Sequence, residues 1–275
     1  MSSFYIHPHT QTQINHYNEQ FPQSLLIYGP HGIGLGGITT HLSDLMGIVA
    51  QVILPERDEK VDIEKGSITV DSIRRIYDMV KTIETGRRLI VIDYAERMGN
   101  QAQNAFLKLL EEPGKNTYFV LLSHDVSRML PTIRSRAQEL ELRHITTEQS
   151  NALLDELKVT DTKKRTQLLF IASGLPAELT RLANDESYFL DRSQIVRDAQ
   201  LYLQSSAYER LSLATKYKDD RQKALLLLND ALKLLQTNVQ QGKSSLLPKI
   251  EQLISSYERI EANGNIRLQL SQAMV

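Results

Sequence analysis

An apolar run near the amino terminus is followed by three glycines at the spacing of a phosphate-binding loop. The segment reads LLIYGPHGIGLGG, with Gly29, Gly32 and Gly34 after the apolar run. A working loop reads G-x-x-x-x-G-K-[ST], in which the lysine reaches the β- and γ-phosphates and the hydroxyl binds Mg²⁺. Here Leu35 and Gly36 stand at those two positions. The sequence therefore predicts a loop that keeps its architecture without its chemistry. Its backbone N–H groups still allow weak nucleotide or phosphate binding.

An acidic residue ends a second apolar run. Residues 88–96 read RLIVIDYAE, so that Asp93 directly follows a stretch of β-forming residues. This arrangement is typical of a Walker B element, whose acidic residue holds Mg²⁺ in P-loop NTPases. A plain strand that ends in a polar turn gives the same pattern. This fragment alone leaves both interpretations open.

The elements that must position these residues alternate between strands and helices. Short, continuous apolar runs typical of buried parallel strands occur at Ser24–Tyr28, Arg88–Ile92 and Tyr118–Leu122, with a further short strand expected at Ala137–Leu142. Helical patterns lie between them, which predicts an α/β sheet with right-handed crossovers. After about His144 the strand signals end, and amphipathic helices continue to the carboxyl terminus.

Composition excludes several classes of protein. The chain has 275 residues, of which 41% are hydrophobic and 24% charged, and its net charge is −1. This net charge excludes a basic surface over the whole chain that would attract nucleic acid. The sequence contains no run of 18 or more apolar residues, so it predicts no membrane-spanning helix. Cysteine is absent, which excludes disulfides and cysteine-ligated zinc and fits a cytoplasmic location. We interpret His7, His9 and His16 as polar positions rather than metal ligands, because no carboxylate cluster accompanies them.

Residues 92–138 contain four motifs: an Asp-x-Ala-x-x-Met turn that begins at Asp93, NAFLK at 104–108, LEEP at 110–113 and LPTIRSR at 130–136. With these motifs the stretch strongly resembles bacterial DNA polymerase III clamp-loader subunits of the AAA+ superfamily. The resemblance implies an AAA+-type P-loop parallel sheet with helices on both faces. It also implies three domains: a degenerate nucleotide-binding domain at 1–144, a helical lid at 145–189 and an all-α collar at 190–275.

Three departures from the family pattern indicate the type of subunit. Motor subunits of this family carry the P-loop lysine, a glutamate after the Walker B aspartate and a sensor-2 arginine. This chain has Leu35, Tyr94 and Ala177 at about those positions. Losses in three separate motifs favour the delta-prime type, a stator-like subunit released from ATP hydrolysis. The resemblance thus implies no intrinsic ATPase activity and no resident cofactor, and the family's four-cysteine zinc module is missing.

One arginine matches a motif that acts on a neighbouring subunit. The sequence Ser135-Arg136-Ala137 corresponds to the family's Ser-Arg-Cys motif. The resemblance implies that Arg136 contacts ATP bound by the adjacent subunit, where a permanently charged planar donor stabilises the γ-phosphate. The alternative is a surface arginine paired with Glu139 or Glu141, since most surface arginines are only solvated.

Two adjacent carboxylates have no local explanation. Glu111 and Glu112 end a predicted helix over Asn100–Glu112, which Pro113 and Gly114 terminate. Negative charge is disfavoured at the carboxyl end of a helix, because the macrodipole is negative there. Only the resemblance accounts for this pair.

The function that the resemblance implies is that of a non-hydrolysing, delta-prime-like clamp-loader subunit. In a cytoplasmic hetero-oligomer with the ATPase motor subunits and the delta subunit, it would help to load the sliding clamp onto primer-template DNA. Two alternatives remain: a divergent but active AAA+ ATPase, and an AAA+-like interaction module of another DNA replication or repair complex.

Overall fold

The computed structural model describes residues 5–17, 20–63, 65–81, 86–240 and 246–272. The chain divides into two compact units. The first comprises Met1–Thr160 and Ala172–Thr180, and the second comprises Asp161–Ile171 and Arg181–Val275. The three-domain division at 144 and 189 stays a prediction.

A five-stranded parallel sheet forms the centre of the first unit. Its strands lie in the order β2-β5-β6-β1-β7, and β3 pairs with β4 in a separate antiparallel hairpin. The strands are β1 (Ser24–Tyr28), β2 (Ala50–Ile53), β3 (Glu56–Arg57), β4 (Lys60–Val61), β5 (Arg88–Ile92), β6 (Thr117–Ser123) and β7 (Gln138–Glu141).

Helices cover both faces of this sheet. The helices of the first unit are α1 (Pro8–His16), α2 (Leu35–Met46), α3 (Val70–Lys81), α4 (Asn100–Glu111), α5 (Pro131–Arg134) and α6 (Thr147–Glu156). Successive residues of a strand point to opposite faces. Leu26 accordingly packs in one core with residues of α3 and α4, whereas Leu25 and Ile27 pack in the other with residues of α1 and α2. The predicted fold class is thus confirmed.

The remaining helices follow without a strand. They are α7 (Thr162–Ala172), α8 (Pro176–Asn184), α9 (Glu186–Gln204), α10 (Ala207–Tyr217), α11 (Arg221–Gln240), α12 (Leu247–Glu261) and α13 (Ile266–Gln272). Helices α9 to α13 share one apolar core. In the parts of the chain that the structure describes, no helix has the length and apolar character needed to cross a lipid bilayer.

Two polar clusters lie within the second unit. Arg192 of α9 donates from Nη1 to Asp230 of α11 at 3.1 Å, and both side chains are buried. Asp198 accepts hydrogen bonds from Lys216 at 2.5 Å and Tyr217 at 2.6 Å, which join α9 to α10. Buried polar groups of this kind specify which helix faces meet, because an unpaired partner is costly.

Candidate functional site

The phosphate-binding loop and Asp93 lie at the same edge of the sheet. The loop follows β1, Asp93 follows β5 and His124 follows β6. Because these three parallel strands are neighbours in the order β5-β6-β1, their carboxyl ends meet at one edge, where α/β proteins bind ligands. A hydrogen bond of 3.0 Å between His124 Nδ1 and the Gly29 carbonyl oxygen ties two of these strand ends together.

The residue at the lysine position does not face the loop. Gly34 adopts the left-handed conformation, with φ of 101°, and caps α2, so that Leu35 is the first helical residue. The Leu35 side chain is only 2% exposed and packs in the same apolar core as Ile33 and Ile38. Gly36 is exposed and supplies no hydroxyl. The loop therefore lacks both side chains that bind a magnesium nucleotide, and one of the two positions is used for packing.

The amino end of α8 packs on the loop. The Gly32 carbonyl accepts hydrogen bonds from the backbone N–H groups of Ala177 at 3.0 Å and Glu178 at 3.1 Å. Gly32 has a φ of 86°, and a Cβ atom there would lie 2.9 Å from the Cβ of Glu178. A glycine is thus required both by conformation and by close approach. Ala177, at about the place of the family's sensor-2 arginine, contributes only its backbone to this contact.

Three aromatic side chains gather beside the loop. The rings of His31 and His124 stack with centroids 3.9 Å apart, and Tyr94 meets His124 edge-on at 5.4 Å. Desolvation, followed by the charges of His124 and Arg97, lowers the pKa of His31 to about 4. His31 is therefore neutral at pH 7 and cannot replace the missing lysine as a cation for phosphate.

Asp93 is held by the turn that follows it. Its Oδ1 accepts the backbone N–H of Tyr94 at 2.9 Å, and burial raises its pKa. Tyr94 itself has a φ of 55°, a left-handed conformation that a non-glycine residue adopts only where the surroundings impose it. Glu96 accepts the backbone N–H of His124 at 3.3 Å. The turn thus places an aromatic ring immediately after Asp93, where motor subunits carry glutamate.

The described residues form no metal site. Across residues 5–17, 20–63, 65–81, 86–240 and 246–272, no group of three or more His, Cys, Asp or Glu side chains could hold a metal ion. His7 and His16 instead make local contacts: His7 caps α1 by accepting from the His9 N–H, and His16 Nδ1 lies 2.7 Å from the Thr12 carbonyl.

Arg136 lies near the amino ends of the strands, opposite the carboxyl ends where the glycine loop is found. It precedes β7, whose first residue, Gln138, pairs with Leu25 near the start of β1. The glycine loop follows the other end of β1, at a distance of roughly 13 Å for four residues of a strand. Arg136 is therefore remote from the degenerate loop of its own chain. Its guanidinium is exposed and forms an ion pair with Glu111, with Nη2 3.0 Å from Oε1.

The alternative interpretation of Arg136 as a surface arginine in an ion pair agrees with the structure, but the partner is Glu111 rather than Glu139 or Glu141. Glu139 binds both Nε and Nη2 of Arg134, at 2.7 and 3.1 Å, and Glu141 pairs with Arg143 at 3.5 Å. Both carboxylates are thus occupied by other arginines. Sequence reasoning missed His124, and it singled out Glu111 without predicting its contact with Arg136. His124 follows a buried strand directly, and this position was a signal that it lies at the ligand-binding ends of the strands. The contact of Glu111 with Arg136 had no comparable signal, apart from the unusual negative charge at the end of its helix.

Restoring the lysine should not restore the site. We expect Leu35→Lys to destabilise the fold by roughly 2–4 kcal/mol, because the side chain enters an apolar core, and to confer no ATP hydrolysis. Leu35→Met conserves volume and should cost below about 1.5 kcal/mol. Denaturant unfolding and a phosphate-release assay measure the two effects. A Leu35→Lys chain as stable as the wild type that also binds ATP would show that this position opens to the loop.

Comparisons with known proteins relate the chain to DNA polymerase III subunits. A family profile described as "DNA polymerase III, delta subunit" matches residues 49–146. DNA polymerase III subunit delta′ of Pseudomonas aeruginosa is 33% identical over 143 residues, which cover 42% of this chain and 42% of that protein. Its counterpart in Haemophilus influenzae is 30% identical over 184 residues, covering 65% of this chain and 56% of that protein. The chain thus spans about half the length of these relatives.

A solved structure resembles the chain over nearly all of its length. The DNA polymerase III gamma subunit-related protein of Thermotoga maritima covers 95% of this chain, with 96% of its own length, 19% identity and a TM-score of 0.52. At this identity the likeness establishes the fold alone. Taken together, the fold and the matching sequences make the chain similar to the bacterial DNA polymerase III delta′ subunits over part of their length.

Proposed function

We propose that the chain is a non-hydrolysing, delta-prime-like subunit of a bacterial clamp loader that supplies Arg136 to the ATP site of a neighbouring subunit. In this role it assembles with ATPase motor subunits and a delta subunit. The complex opens the sliding clamp and places it on primer-template DNA in the cytoplasm. The chain contributes a scaffold and one arginine, and the motor subunits hydrolyse the ATP.

One observation carries the proposal: the carboxyl ends of the strands lack the side chains that act on a nucleotide, whereas the amino ends carry an exposed arginine. The carboxyl edge has the nucleotide loop, but Leu35 is buried, His31 is neutral and Tyr94 stands in place of the glutamate. The amino edge presents an exposed guanidinium on Arg136. An arginine that cannot reach its own loop has catalytic use only toward a nucleotide held by another chain.

In the proposed complex, the carboxyl-terminal helices hold the subunits together. We propose that residues 1–144, 145–189 and 190–275 act as the degenerate nucleotide-binding domain, lid and collar. Several large apolar side chains of the last region are exposed: Leu190, Leu201, Tyr208, Leu211, Leu247, Ile254 and Leu268. Each of these side chains is available for contact with another subunit in the proposed assembly.

Reconstitution tests the proposal. The chain is mixed with the motor and delta subunits of the same organism, the clamp and primed DNA, and clamp loading is measured. We expect loading to fall to background when the chain is omitted, and the pure chain to release no phosphate from ATP. A chain that ends at Asn184, where α8 ends and before α9 begins, should not co-elute with the motor subunits.

Each outcome separates the alternatives. ATP turnover by the pure chain that Asp93→Asn abolishes would identify a divergent ATPase instead. Failure of the full chain to assemble with the motor subunits would favour an interaction module of another replication or repair complex. Stoichiometric co-elution of the chain that ends at Asn184 would exclude residues 190–275 as the collar.

A further inference from the structure

The carboxyl end of α4 carries two negative charges where the helix dipole disfavours them. Glu111 is the last residue of α4, and Glu112 is its C-cap, with its N–H bonded to the Lys108 carbonyl. Both side chains are exposed. Carboxylates are unfavourable next to the unsatisfied carbonyl groups of a last turn.

Only one of these two carboxylates has a partner. Glu111 Oε1 lies 3.0 Å from Nη2 of Arg136, and the two side chains are 52% and 39% exposed. Among the residues that the structure describes, Glu112 forms no ion pair. The two neighbours thus share a charge, a helix end and exposure, but differ in their contact with the arginine.

The base of Glu111 is fixed. The two residues before it, Leu109 and Leu110, are 1% and 8% exposed and pack in the core on one face of the sheet. Helix α4 also packs against α3 and α5. A short acidic side chain on a rigid helix end restricts its partner more than one on a mobile loop would.

The contacts orient the guanidinium without using all of its donors. Arg136 Nη1 donates to the Thr132 carbonyl at 3.1 Å and lies 3.5 Å from Ser135 Oγ, and Nη2 binds Glu111. An arginine has five N–H donors. In the described parts of the chain, Nη2 contacts Glu111 as an ion pair, and neither Nε–H nor the N–H groups of Nη2 donate a hydrogen bond within the protein. Nε and Nη2 lie on one side of the planar group, the arrangement that binds two oxygens of a phosphate.

We propose that Glu111 is a positioning residue, which holds the guanidinium of Arg136 in the orientation that a neighbouring subunit's γ-phosphate requires. This inference rests on the proposed function of Arg136 and extends it to the group that prepares it. Exposed ion pairs contribute little to folding stability, so a stabilising role does not account for the pair of Glu111 and Arg136. Fixing a long, flexible side chain before the neighbour docks removes an entropic cost from the catalytic step.

A double-mutant cycle in the reconstituted clamp loader tests the inference. The rate of clamp loading is measured with the wild type, Glu111→Ala, Arg136→Ala and the double variant. We expect Glu111→Ala to lower the rate roughly two- to fivefold, less than Arg136→Ala, since a misplaced group loses part of its effect. In the Arg136→Ala background, Glu111→Ala should change nothing, because its effect passes through the arginine.

Glu112→Ala is the matched control, since it removes the same charge from the same helix end. It should load clamps at the wild-type rate, and both single variants should have the same thermal midpoint. A Glu111→Ala chain that melts well below Glu112→Ala would make Glu111 structural and overturn the inference. Equal rates for Glu111→Ala and the wild type would also overturn it, as would a further loss in the Arg136→Ala background. Wild-type rates with Arg136→Ala alone would instead refute the proposed arginine finger.

Discussion

A clamp loader that carries Arg136→Ala should assemble normally and load clamps slowly. An arginine finger contributes about 10³-fold or more to phosphoryl transfer at the site that it serves. In the proposed complex one chain would serve one of several ATP sites, so we expect the DNA- and clamp-stimulated ATPase of the whole complex to fall less, roughly two- to tenfold. Clamp loading should fall with it. Folding should be unaffected, since Arg136 is exposed and its one ion pair is exposed as well.

Two further arginine variants sharpen this prediction. Arg136→Lys should rescue poorly, because a point charge cannot reproduce the planar fork. Arg134→Ala is the matched control: Arg134 lies two residues away, is also exposed and is bound by both oxygens of Glu139. It should leave the ATPase and clamp-loading rates unchanged. Wild-type loading by the Arg136→Ala complex would show that this arginine has no catalytic role.

The largest effect on stability is expected from Asp230→Ala. Asp230 is fully buried and pairs with Arg192, whose side chain is 4% exposed. Removing one partner of a buried ion pair costs about 3–5 kcal/mol, because the remaining charge loses its carboxylate in an interior that water does not reach. Lys233, with Nζ 3.8 Å from Asp230 Oδ1, cannot compensate, since it adds a second positive charge to the same place. Denaturant unfolding of the variant and the wild type measures the difference in free energy of unfolding.

Two comparisons separate the buried charge from general damage to the helices. The double variant Arg192→Met/Asp230→Leu should recover most of the lost stability, because apolar side chains of similar volume can replace a buried pair. Asp219→Ala removes an exposed partner of Lys218 and should change stability by less than about 0.5 kcal/mol. A loss below about 1 kcal/mol for Asp230→Ala would contradict the importance of this pair for the second unit.

Local sequence patterns were sufficient for two buried strands and for the start of one helix. The predicted strands Ser24–Tyr28 and Arg88–Ile92 have the bounds of β1 and β5, since strands covered on both faces read as continuous apolar runs. The helix start at Thr146 was likewise predictable, because its capping box with Gln149 is a local exchange of hydrogen bonds. The resemblance to clamp-loader subunits added the fold class, which the structure and the related proteins confirm.

Elements without such patterns were not predicted. Strand β2 lies at the sheet edge with Val52 44% exposed, and its four residues alternate too little to distinguish a strand from a loop. Helix α1 begins at Pro8 and carries mostly polar residues, so that its apolar periodicity is faint. In both elements the surrounding tertiary structure, rather than local propensity, determines the conformation.

The sequence by itself determined which chemical groups the chain lacks: the lysine and hydroxyl of the loop, the glutamate after Asp93 and every cysteine. It also determined the motif that contains Arg136. Only the tertiary structure decided where Leu35 points, why His31 stays neutral and which carboxylate holds Arg136. The physical reason is distance along the chain: burial, stacking and ion pairing join residues 25 to 93 positions apart, and such contacts depend on strand order and helix packing rather than on local spacing.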